Sequence, residues 1–299
     1  MLTTANIVLD ILILIFSSFG ILSAIVVLFL IVRYRQQFPF KIATLLICNN
    51  YITVILYLIF IVDTHSHNLY GFLHTNVSFD NFYCYIRIYT IGVTLASIYY
   101  SYLLQACFRL FRIVFYKRKN LQTFRCMSIL ILIQWLFVLL LPLPVYLSRY
   151  YKYLSSSNYY CGLSFTNIPS VMYTSLTVYF FPTSLIGSIY FYIIFYMKKQ
   201  SNWTIQQYRR QAIQRDLTVL KRILILIGLL CTVSFPSIIL YLWYIFTNDL
   251  SPLIYELQSF TFCVGLSVLP MITAMTTPQL RNLLDRQFRL DHRIHPVFQ

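Results

Sequence analysis

Seven uncharged apolar runs recur along the chain: Ile11–Val32, Ile42–Val62, Ile88–Phe108, Cys126–Ser148, Ser170–Met197, Ile223–Asn248 and Leu257–Leu280. Each is long enough to cross the hydrocarbon core of a bilayer, which takes about 20 residues of helix. Backbone groups in lipid must find internal partners, so runs of this length read as helices rather than loops or sheet edges. The fifth run belongs to a longer uncharged stretch that starts at Tyr153, and its early part, Ser155–Gly162, is polar and turn-prone and reads as a loop. The first run has no basic segment before it and no small-residue cleavage site, so it reads as a retained span and not a signal peptide. The pattern predicts an all-α membrane protein, a seven-transmembrane helix bundle in a single domain over residues 1–299. The spans are expected near 11–32, 42–62, 85–110, 126–148, 170–197, 221–248 and 253–276. No internal repeat or low-complexity tract interrupts them.

Composition agrees with the pattern. Hydrophobic residues make up 59% of the chain and charged residues only 10%, too few to cover the surface of a soluble domain of 299 residues. The net charge is +15, and its placement says more than its size. Twenty of the 23 Lys and Arg residues fall between 33 and 41, 109 and 125, 198 and 222, and 281 and 293. Only Arg87, Arg149 and Lys152 fall on the other side. The positive-inside rule then puts the N-terminus outside and the C-terminus in the cytoplasm, the orientation expected of a multi-pass plasma-membrane protein. Basic loops next to a membrane suit anionic lipid and a cytoplasmic partner better than nucleic acid. Asn76-Val77-Ser78 is a glycosylation sequon on the outer side, whereas Asn202-Trp203-Thr204 falls in the cytosol, where it cannot be used.

The runs hold no Asp, Glu, Lys, Arg or His, except Arg109 where the third span extends past its run. Ion-coupled transporters and intramembrane enzymes need such groups at depth, so the sequence argues against both and implies no cofactor. His65, His67 and His74 share an expected outer loop with Asp63 and Asp80. A His-x-His pair and a carboxylate could bind zinc, but a solvated polar loop is the simpler reading. Of the seven cysteines, Cys48, Cys107, Cys126, Cys231 and Cys263 lie in or beside spans as small apolar fillers. Cys84 and Cys161 both lie on the outer side, where a disulfide is permitted and would pin the second outer loop to the bundle.

Arg109 follows Cys84 by 25 residues, about seven helical turns, which carries it to the opposite face of the membrane. Trp135 lies in the fourth span, Pro182 and Tyr190 in the fifth, Pro236 in the sixth and Pro270 in the seventh. Pro278–Leu290 looks like a short amphipathic eighth helix, with Leu280-Arg281 where a Phe-Arg/Lys pair is usual. Together these landmarks resemble the rhodopsin-like G-protein-coupled receptors over the whole chain. Several motifs depart from that family's pattern. Phe108-Arg109-Leu110 replaces Asp-Arg-Tyr, Asn50 stands at the sodium-site Asp, and Ser234 stands two residues before Pro236 in place of Trp. Leu269-Pro270-Met271-Ile272-Thr273 replaces Asn-Pro-x-x-Tyr. These changes suggest a divergent, invertebrate-type orphan branch.

The resemblance implies a receptor that binds an extracellular ligand and activates a heterotrimeric G protein. Pro182, Pro236 and Pro270 would act as hinges. Arg109, Asp216 and Tyr190 would form the inner switch, with Asp216, 20 residues before Pro236, locking Arg109 in the resting state. Few residues precede the first run, so the ligand is expected among the helices. Arg87, Tyr89, Ile91, Tyr99, Tyr241, Tyr244, Glu256 and Gln258 are the pocket candidates. Ile91 occupies the position of the amine-anchoring Asp, and Cys263 that of the retinal Lys, so neither a monoamine nor retinal is expected. Two other readings are a seven-span chemosensory channel subunit, which would need the opposite topology, and a lipid-handling membrane enzyme built on the outer histidines.

Overall fold

The computed structural model describes residues 2–34, 41–74, 80–153, 159, 161–201, 228, 232, 235–236, 238–247 and 253–276. The chain folds as helices α1 Leu2–Arg33, α2 Lys41–Leu73, α3 Phe82–Ile113, α4 Phe124–Leu140, α5 Leu143–Leu147, α6 Ile168–Thr174, α7 Phe181–Ser201 and α9 Ile254–Thr276. A shorter apolar helix, α8, covers Ile238–Thr247. Among the described residues six helical segments are long and apolar enough to cross a membrane, and α8 lies within the sixth predicted span. Asn76, Asn202, Asp216 and the eighth helix expected at 278–290 lie outside the described residues.

The helices outrun the uncharged stretches that predicted them. With 32, 33 and 32 residues, α1, α2 and α3 are each about 48 Å long against a core of about 30 Å. Asp63, His65 and His67, expected in a loop, are therefore helical residues of α2, and Asp10 and Glu256 belong to α1 and α9. His74 directly follows α2, and Asp80 precedes α3.

Side-chain caps set several helix starts. Asn81 accepts a hydrogen bond from the Cys84 N–H at the head of α3, and Thr123 does the same for Cys126 at α4. A π-helical turn, Ser175–Phe180, joins α6 to α7 just before Pro182. Proline has no N–H to give the carbonyl four residues back, and the wider turn absorbs the break. Pro270 sits inside α9, and its carbonyl accepts the Tyr51 hydroxyl from α2 at 3.1 Å.

The central helix is α3, which packs on α2, α4 and α7. The main core joins Val54 and Leu58 of α2, Ala96, Tyr99 and Tyr102 of α3, Ile186 and Tyr190 of α7, and Leu266 of α9. Large apolar side chains such as Leu22, Phe29, Leu132, Leu136, Phe191 and Phe195 point outward, as a surface bathed in acyl chains requires. At Gly20 the helices nearly touch: a Cβ there would stand 2.9 Å from the Ser267 backbone and 2.8 Å from Leu58. Only glycine lets α1 and α9 approach so closely.

Buried amides tie the bundle where hydrophobicity offers no preference between helices. Asn49 donates to Gln134 at 3.0 Å, Gln134 donates to the Ser97 hydroxyl at 3.0 Å, and the Trp135 indole donates to Asn49 at 3.0 Å. Such bonds contribute about 0.6 kcal/mol each on average in a membrane, with a maximum of about 1.7. Asn49→Ala removes two of them and is expected to destabilise the bundle by about 1–2 kcal/mol. Thermal unfolding of the purified variant measures this, and a melting profile like that of the wild type would show the network to be idle.

The loop expected over Ser155–Gly162 is partly a strand. Tyr151–Tyr153 (β1) pairs antiparallel with Cys161–Leu163 (β2), with Tyr153 opposite Cys161. Three residues per strand are too few to show an alternating pattern, so only the backbone pairing reveals the hairpin. Cys84 and Cys161 form the expected disulfide, with Cα atoms 5.6 Å apart. It fastens β2 to the first turn of α3 and defines one end of the bundle, called here the disulfide end.

Candidate functional site

At the disulfide end, α1, α2 and α9 converge on a polar cluster with no access to solvent. Asp10 comes from α1, His65 and Asn68 from α2, and Glu256 from the first turn of α9; none is more than 1% exposed. His65 and Asn68 are three residues apart, so both face the same way. His65 Nδ1 lies 2.6 Å from Asp10 Oδ1 and 3.4 Å from Glu256 Oε2. Two acceptor oxygens on one ring nitrogen place a proton on Nδ1. The Asn68 amide donates to Asp10 Oδ2 at 2.9 Å and to Glu256 Oε1 at 3.0 Å. Each carboxylate thus has one oxygen held by Asn68 and the other turned toward His65.

Tyr159, between β1 and β2, roofs this cluster. The Tyr159 N–H donates to Asn68 Oδ1 at 2.7 Å, and its ring stands edge-on to Phe72 at 5.2 Å. The ring lies where a side chain on residue 71 would be: a Cβ at Gly71 would fall 2.3 Å from it.

A second charged group lies beside the first. Arg87 on α3 is 5% exposed and meets Asp63 of α2 at 2.7 Å. Its guanidinium also stands 4.7 Å from the Tyr83 ring, a cation–π distance. The Tyr83 hydroxyl completes the group by donating to Asp63 at 3.3 Å.

The other pocket candidates divide among separate surroundings. Tyr241 packs with Phe165, Val171, Ile254 and Tyr255, and Tyr244 lies against that cluster. Tyr99 is buried in the main core, edge-on to Tyr179 at 5.5 Å, and Ile91 and Tyr89 pack on the same core. Gln258 is half-buried on α9, one turn before Thr261, which donates to its carbonyl. On β1, outside the spans, burial pushes the Tyr151 phenol up, with a smaller push from Tyr89. Cys263 is fully buried and accepts a hydrogen bond from Ser17 at 3.4 Å. A shallow groove on α7, lined by Gly187, Ser188, Phe191, Tyr192 and Phe195, opens on the outward apolar face.

At the opposite end, Arg109 lies half-buried on α3 and interacts electrostatically with Tyr190 of α7. Tyr190 is 1% exposed, and its hydroxyl has no hydrogen-bond partner among the described residues. Between the two ends, the Tyr102 hydroxyl approaches Asn50 and Thr273, linking α2, α3 and α9. Pro236 is half-buried just before α8.

The four-residue cluster is the feature that counting charges along the chain passes over. Asp10 and Glu256 each stand one position before an uncharged run, and His65 stands three positions after one. The available signal was the pairing of His65 and Asn68 at helical spacing on a segment whose apolar pattern could continue.

Residues 23–271 match the family model for the 7 transmembrane receptor (rhodopsin family). Among solved structures, the crystal structure of squid rhodopsin superposes with a TM-score of 0.78 at 14% identity, covering 97% of this chain and 87% of that one. No curated protein sequence matches the chain.

Proposed function

Because the chain belongs to the rhodopsin family of seven-transmembrane receptors, we propose that it binds an extracellular ligand at the disulfide end and activates a heterotrimeric G protein at the Arg109 end. The observation that supports this most is the build of α3. One helix carries the disulfide in its first turn and Arg109 near its last, beside the buried Tyr190 of α7. Ligand-induced rearrangement at one end can reach the other through the aromatic core around Tyr99 and Tyr102. The disulfide end faces outside and the C-terminus faces the cytoplasm, as the basic residues require. Arg87, Ile91, Tyr99, Tyr241, Glu256 and Gln258 remain the candidates for shaping ligand access, Glu256 and Arg87 by fixing the helices that frame it. Pro182, Pro236 and Pro270 serve as the bends about which the helices move.

A cell line carrying a promiscuous G protein and a second-messenger reporter tests the coupling. Arg109→Ala is expected to lower agonist-driven signalling, and Asp216→Asn to raise basal signalling several-fold at matched surface expression. Unchanged basal signalling in Asp216→Asn, in a receptor shown to couple, would remove Asp216 from the mechanism. Epitope tags at both termini, stained before and after permeabilisation, test the orientation. A C-terminal tag accessible from outside would overturn the receptor reading and favour a channel subunit.

A further inference from the structure

We propose that Asp10, His65 and Glu256 form a binding site for a divalent transition-metal ion of the zinc class, which joins α1, α2 and α9 at the disulfide end. The proposal does not depend on G-protein coupling. One ligand atom from each residue converges: Asp10 Oδ1, His65 Nδ1 and Glu256 Oε2, all within 4.8 Å of one another. A tetrahedral ion bound at about 2.0–2.2 Å holds its ligand atoms roughly 3.3–3.6 Å apart, close to the 2.6 and 3.4 Å that separate the imidazole nitrogen from the two carboxylates. One imidazole and two carboxylates form a donor set that suits zinc.

Two further observations go beyond the presence of acidic side chains. The first is the Asn68 amide, which holds one oxygen of each carboxylate and leaves the other turned toward the imidazole. Ligating carboxylates are commonly fixed in this way by an outer hydrogen-bond donor. The second is burial. All three ligands are at most 1% exposed. Two acidic side chains that share one imidazole out of reach of water form a costly grouping unless a cation sits among them. A divalent ion takes these side chains in their deprotonated forms, so binding is coupled to proton release. The ligands belong to helices far apart in the chain, so a bound ion cross-links the bundle where Tyr159 covers it.

The full-length receptor, purified into nanodiscs and stripped with chelator, is titrated with ZnCl2, and bound metal is measured by mass spectrometry. The wild type is expected to retain one Zn2+ per receptor and to melt at a higher temperature with it. Excess Ca2+ or Mg2+ should not displace it, since both prefer larger all-oxygen shells. His65→Gln and Glu256→Gln should abolish binding, and Asn68→Ala should weaken it about 10- to 100-fold. The His67→Gln/His74→Gln pair, outside the cluster, should bind as the wild type does. X-ray absorption on the wild-type protein should show one imidazole among oxygen ligands. This measurement decides the matter even where a variant fails to fold. Absence of stoichiometric Zn2+ in the wild type, a sulfur shell, or binding lost in the His67/His74 pair but kept in His65→Gln would each overturn the site.

Discussion

Cys84→Ser or Cys161→Ser is expected to destabilise the receptor by about 2–3 kcal/mol and to cut its surface expression sharply. The bridge closes a loop with a sequence separation of 77, for which the chain-entropy relation gives about 4.5 kcal/mol at 25 °C. That figure assumes a free unfolded chain. Helices that stay in the bilayer already restrict the unfolded state, so the lower value is the better expectation. The loss should be local. Without the bridge, β2 loses its covalent tie to α3, and the contact of Tyr159 with Asn68 weakens with it. The double variant should be no worse than either single variant, because both remove the same bond. Heating detergent-solubilised receptor and measuring the surviving monodisperse fraction by gel filtration tests this without thiol dyes. If both single variants survive heating as the wild type does, the bridge contributes nothing.

His65→Leu, measured in chelator so that no metal contributes, is expected to cost about 3–5 kcal/mol, the scale for breaking a buried ion pair. It leaves Asp10 and Glu256 facing each other at 0% exposure, with Asn68 as their shared donor. Replacing Asp10, His65 and Glu256 together by leucine should recover most of that loss. A buried ion-pair group is often no more stable than apolar residues of similar volume. Strong non-additivity is therefore the expected signature: one damaging single change and a mild triple change. Equal damage in both would mean that the site matters for its shape and not its charge.

Much of this receptor was legible along the chain because the bilayer simplifies the problem. Lipid rewards long uncharged segments locally and forbids unpaired backbone, so hydropathy alone pointed to segments of which six form membrane-length helices among the described residues. The asymmetry of twenty basic residues predicted an orientation for the same local reason. The spacing of Cys84, Arg109, Trp135 and the prolines then resembled the family to which the chain belongs. The disulfide followed from two cysteines on one side.

The polar cluster was not legible, and the reason is the same locality. A hydropathy sum counts Asp10, His65 and Glu256 each as a cost that ends a span. Whether that cost is met depends on partners 55 and 188 residues away in sequence, for His65–Asp10 and Asn68–Glu256. Arg87 likewise read as an outer-side pocket candidate, and only the packing of α2 against α3 sets it on Asp63. The hairpin β1–β2 needed the disulfide and the roof over α2 to give three-residue strands a place. The sequence by itself determined which segments enter the membrane, since each segment's own transfer free energy decides that. Only the tertiary structure decided which charged residues could follow them in, since a buried charge is tolerable only when another helix brings its partner.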